Sequence, residues 1–111
     1  MSLRVVYTDD FPADVAEQAR WYARQRDKAL ALDYACAVEA TLEFLAHHPQ
    51  LGSLCHYPEP QLADLRFYLV EKPFDRHLIY YRISGGELVA LRVVPGSRDL
   101  PRRLLDSPGV E

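Results

Sequence analysis

The stretch RHLIYYRISGGELVALRVV, residues 76–94, decides the fold. Two apolar runs, 76–83 and 87–94, flank Ser84, Gly85 and Gly86. Runs rich in aromatic and β-branched residues around a short glycine-bearing link read as a β-hairpin. The second run is apolar on both faces. Val89, Leu91 and Val93 alternate on one face, and Leu88, Ala90 and Val94 on the other, with only Arg92 interrupting. A strand buried on both faces belongs inside its sheet.

Working outward, LRFYLV (65–70) alternates with Leu65, Phe67 and Leu69 on one side, and reads as a third strand. Residues 53–63 hold Pro58 and Pro60 and show no period, so a loop is expected there. Earlier still, Leu32, Ala35, Val38, Leu42 and Leu45 mark a helix that ends at HHPQLG, where Pro49 cannot continue it. Cys36 falls in this pattern and is expected in the core. RQRDKA (24–29) is a polar break. Before it, Val15, Ala19 and Tyr22 trace an amphipathic helix of about four turns, with Asp9 or Asp10 able to cap it and Pro12 suited to its first turn. LRVVYT (3–8) reads as an opening strand that adds to an edge or pairs beside the last strand. After the hairpin, SRDLPRRLLD (97–106) could form a short final helix, and 107–111 a tail.

The order β-α-α-β-β-β-(α) defines an α+β domain, an antiparallel sheet packed against an N-terminal helical hairpin. One domain over residues 1–106 suits a chain of 111 residues, and the composition, 49% hydrophobic and 26% charged, is that of a globular protein. The net charge of -3 lowers the expectation of nucleic-acid binding through phosphates, and no direct sequence-specific nucleic-acid binding is expected. Lys28 and Lys72 are the only lysines. The arginine bias suits carboxylate and phosphate partners, or simply follows genome composition. Cys36 and Cys55 form no C-x-x-C pair, and MSLRVVYTDDF lacks the pattern of a signal peptide. No membrane span is expected, and a reducing cytoplasm with free thiols is. His47, His48, Cys55 and His56 lack finger spacing, so neither metal nor cofactor is expected.

Several segments together resemble the ParE/RelE toxin superfamily of bacterial type II toxin–antitoxin modules, in its ParE-like branch. ARWYARQ resembles the aromatic first helix, LEFLAHHPQLG the ending of the second, and RHLIYYRISGGELVALRVVPGSRDL the terminal hairpin and its following turn. The resemblance runs over roughly residues 3–105. It implies a toxin of a plasmid-stabilisation module, held off by a cognate ParD-like antitoxin of ribbon-helix-helix type in a hetero-oligomer. ParE-like members mostly poison DNA gyrase. RelE-like members are ribosome-dependent mRNA endonucleases.

Cutting RNA needs a base, an acid and cations for the developing phosphorane charge. Arg98 matches the turn arginine of RelE-like members, but Pro95 stands where many relatives carry His, and LPRRLLD (100–106) has neither Tyr nor His. Arg66, Arg76, His77 and Arg98 are the residues a nuclease would use. Arg98 and Asp99 also have a plainer reading, an ion pair and a helix cap. The first expectation is therefore a binding protein with no catalytic group. Trp21, Tyr22, Phe67, Tyr80, Arg82 and Arg98 would lie near a groove for antitoxin or target, and gyrase is the target that the resemblance implies. The alternatives are the endonuclease and a non-toxic homologue that still binds an antitoxin.

Overall fold

The computed structural model describes residues 2–96. In chain order it has β1 (Arg4–Tyr7), α1 (Asp10–Gln25), α2 (Lys28–His47), β2 (Ser53–Leu54), a single 3-10 turn at Pro60–Leu62, β3 (Arg66–Leu69), β4 (His77–Ser84) and β5 (Glu87–Pro95). The strands form one sheet in the order β1-β5-β4-β3-β2. The helical hairpin lies on one face of it. On the other face the loop of residues 55–65 contributes Cys55, Tyr57, Leu62 and Leu65 to a second apolar cluster with Tyr80 and Val94.

The hairpin 76–94 forms as expected, with β5 between β4 and β1. Three details differ from the sequence reading. First, the sheet is mixed, because β1 pairs with β5 in parallel, Arg4 opposite Glu87 through Tyr7 opposite Ala90. Second, a two-residue strand, β2, lies in the stretch read as loop, held by pairing of Ser53 with Phe67 and Leu54 with Arg66. Third, β5 carries a bulge. Tyr80 is opposite Arg92 and Tyr81 opposite Ala90, which leaves Leu91 as the extra residue. An extra residue shifts the two-residue alternation by one. Val93 therefore packs with Leu88 and Ala90 under the helices, not with Leu91, which joins Val94 on the opposite face.

The helices follow their periodicity, with α1 running two residues into the polar break. The Asp27 carboxylate accepts from the Leu30 N–H at 2.8 Å and so starts α2. Asp9 stands at the N-cap of α1 without a side-chain cap bond. The arc of α2 that meets the sheet carries Tyr34, Ala37, Val38, Thr41, Leu42, Leu45 and Ala46. Leu32 and Cys36 fall outside that arc and are exposed, which corrects their expected burial.

Arg92, the one interruption in β5, is buried. Its Nε and Nη2 donate to Asp14 Oδ2 and Oδ1 at 2.7 and 2.9 Å, and the Val93 N–H donates to Oδ2 at 3.0 Å. The pair ties α1 to β5. Burial pushes the Asp14 carboxyl up, while Arg92 and the Val93 N–H oppose that shift. Tyr81 makes a second tie. Its hydroxyl donates to the Pro49 carbonyl at 2.7 Å and accepts from the Gly52 N–H at 2.9 Å, which fixes the turn after α2. A Cβ on Gly52 would lie 2.2 Å from that hydroxyl.

Removing one member of a buried ion pair strands the other, so Asp14→Ala is expected to cost about 3–5 kcal/mol in urea unfolding. Replacing both members with apolar residues should cost less than the sum of the single changes. Tyr81→Phe should cost about 1–3 kcal/mol by orphaning the Gly52 N–H. Gly52→Ala should also destabilise, and Tyr81→Phe should not relieve it, because the new Cβ would still lie 2.7 and 2.8 Å from carbons of the Tyr81 ring.

Candidate functional site

A cleft of about 330 Å³ opens between α1 and the ends of β4 and β5. Asp14, Glu17, Gln18, Trp21 and Arg24 line it from α1, a set spaced three and four residues apart on one helical face. Arg76, His77, Val93, Val94 and Pro95 line it from the sheet. Of the residues singled out from sequence, Trp21, Tyr22, Arg76 and His77 meet here. Trp21 is 44% exposed and packs edge-on against Tyr22, with ring centroids 5.3 Å apart.

His77 is buried at the floor of the cleft, its ring 5.0 Å from that of Tyr34. Its Nε2 and the Tyr22 hydroxyl share a hydrogen bond of 2.8 Å. Burial, and then the nearby Arg76 charge, push its pKa down from 6.5 to about 4. The ring is therefore neutral at pH 7. A neutral imidazole has one N–H and one lone pair. Whichever of these Nε2 offers to Tyr22, Nδ1 is buried without a partner. This histidine joins α1 to β4 through its Nε2.

The other candidates lie elsewhere. Arg66 is opposite Tyr81, four residues along β4 from His77, or about 14 Å at strand spacing. Its Nη1 donates to the carbonyls of Gln50 and Gly52 at 3.2 and 2.7 Å. Arg82 Nη2 donates to the carbonyls of Gln61 and Ala63 at 2.7 and 3.1 Å. Both arginines hold loops. Tyr80 is 1% exposed and packs against Phe67, with ring centroids 6.1 Å apart, so it offers no outer surface. Phe67 lines a separate groove, described next. Arg98 lies outside the described residues.

Two apolar grooves flank α2, and of the described residues expected at a groove only Phe67 lines either of them. One, of about 620 Å³, runs beside β3 and is lined by Phe44, Leu51, Phe67, Tyr68 and Leu69 among others. The other, of about 410 Å³, lies between the helices and is lined by Tyr7, Phe11, Pro12, Val15, Leu32 and Leu42 among others. Tyr7, Leu32, Phe44, Leu51 and Leu69 are each about half exposed or more. Among the described residues no group of three or more His, Cys, Asp or Glu is placed to hold a metal. Nor is any helix there long and apolar enough to cross a membrane.

Two helices on a five-stranded mixed sheet, with ties between the layers and apolar grooves beside them, define a small α+β domain. The family model for the ParE toxin of the type II toxin–antitoxin system, parDE, matches residues 5–100. The chain belongs to that family. A solved chain described as the chromosomal ParDE TA system from P. aeruginosa has a similar fold, with a TM-score of 0.70 at 17% identity, over 86% of this chain and 98% of that one. A search of curated proteins finds no match.

The depressed pKa of His77 sets a pH window. Unfolding restores the ordinary value of 6.5, so the unfolded chain takes up the proton first. The stability His77 contributes is present above pH 6.5 and is lost as pH falls toward 4, by at most about 3 kcal/mol. Urea midpoints measured from pH 7 to pH 4 should fall in wild type and fall less steeply in His77→Gln.

Proposed function

We infer that this chain is the toxin of a type II module that acts by gripping another protein, with DNA gyrase in the cytoplasm as its target. A cognate ParD-like antitoxin of ribbon-helix-helix type holds it off in a hetero-oligomer. The observation that carries the reading is the pair of apolar grooves along α2. Exposed Leu32, Phe44, Leu51 and Leu69 are surface that a partner's burial would stabilise. An antitoxin helix suits the groove between α1 and α2. An extended segment suits the outer edge of β3, where β2 covers only Arg66 and Phe67 and, among the described residues, no strand lies beside Tyr68 and Leu69 on that side. Adhesion also fits the internal use of Arg66, Arg82 and His77, which bond to loop carbonyls and to Tyr22 within the fold.

The test is inducible expression in a bacterium, with and without the short gene that adjoins this one. Growth arrest with filamentation and a DNA-damage response, relieved by the neighbour, is the expected result, together with inhibition of purified gyrase in a supercoiling assay. Rapid translation arrest with cleaved mRNA would replace this reading with the endonuclease. Absence of any growth effect would leave a non-toxic antitoxin-binding homologue. Leu69→Lys and Phe44→Asp should each weaken antitoxin binding about tenfold or more while raising the solubility of the isolated chain.

A further inference from the structure

Neither apolar groove uses the cleft at Trp21, and its charges are ordered. Glu17, Trp21 and Arg24 follow one another at steps of four and three along one face of α1, and all three are exposed. Arg76 lines the same cleft from the sheet side. Among the described residues Glu17, Arg24 and Arg76 make no side-chain ion pair, and the other carboxylate lining the cleft, Asp14, pairs with Arg92. Two guanidinium groups lining one cleft repel each other unless an anion joins them, and their planar forks suit a carboxylate.

We propose that this cleft seats a peptide segment of the antitoxin whose charge order mirrors α1. An acidic residue lies over Arg24 and Arg76, an apolar residue covers the Trp21 indole, and a basic residue meets Glu17. The assignment rests on the reading that the chain works by holding a protein. Glu17 and Arg24 are seven residues apart, about 10 Å along the helix axis. A partner helix returns the same face after seven residues, and an extended partner covers that length in three, so either form can match the spacing. The volume of about 330 Å³ is at the small end for ligand sites and suits one or two side chains. A run of phosphates would place negative charge against Glu17, and the chain as a whole already carries -3, so a peptide fits better than a nucleic acid.

Trp21 is the only tryptophan in the chain and sits in the cleft, so its emission reports occupancy directly. The full-length chain would be titrated with the purified product of the adjoining short gene. The expected result is a blue-shifted Trp21 emission and an affinity that weakens as salt rises. Arg24→Glu with Arg76→Glu should weaken binding at least tenfold and remove most of the salt dependence. The milder Arg24→Ala with Arg76→Ala and Glu17→Lys should each weaken it severalfold, with urea midpoints confirming that every variant folds. Normal wild-type binding that none of these changes disturbs would overturn the seat and leave the binding reading standing. No binding by wild type would sink both. A single-stranded oligonucleotide that shifts Trp21 emission through the same arginines would reassign the cleft to nucleic acid.

Discussion

The contact on which the rest of the architecture turns is the buried pair of Asp14 and Arg92. It joins the first helix to the last strand, 78 residues apart in sequence. A charged pair away from water earns little net stability, since desolvation offsets most of the attraction. What it adds is uniqueness. Only one rotation of α1 brings Asp14 to both guanidinium nitrogens and to the Val93 N–H. That rotation decides which α1 residues face the sheet and which line the cleft. The bulge at Leu91 is the matching device on β5, because it resets the alternation so that Arg92 and Val93 together meet one carboxylate.

The same logic recurs wherever a polar group enters the interior. Tyr22 meets His77 across the layers, Tyr81 clamps the turn after α2, and Thr41 donates to Ala37 and accepts from the Glu71 N–H. Each contact fixes one loop or one helix against the sheet. The arginines do comparable work nearer the surface, where Arg66 and Arg82 each bind two carbonyls. Of the cations that looked like a catalytic set in the sequence, Arg66 is a fastener for the turn after α2. The chain uses these polar side chains for rigidity and leaves apolar surface outside.

Much of the fold was legible in the sequence because hydrophobic period alone separates helix from strand. The two helices, the hairpin and β3 were placed within a few residues. What escaped depends on partners distant in sequence. β2 has no period of its own in two residues and exists because β3 runs beside it. The bulge cannot be seen in β5 alone, since only the register against β4 shows the extra residue. Leu32 and Cys36 fit the helical stripe, yet the sheet covers a narrower arc of α2 than the stripe suggests. Tyr80 and Arg82 point away from the helices as alternation requires, but the loop of residues 55–65 covers that face and turns an expected surface into a second core. Of the site, Trp21, Tyr22, Arg76 and His77 came together because neighbours on α1 and β4 happen to share an end of the sheet. A lone arginine in a wholly apolar strand was the visible sign of Arg92, and Asp14 beside Phe11 and Val15 was the sign of its partner.

The parallel pairing of β1 with β5 has a consequence for the timing of synthesis. The first strand to leave the ribosome must wait for the last one before its hydrogen bonds can close, and Arg4 meets Glu87 only when nearly the whole chain has been made. Loop-closure entropy makes such long-range pairing slow. A prematurely ended product would lack the strand at the middle of its own core and could not present a finished surface to anything. That delay ties the finished sheet to late translation.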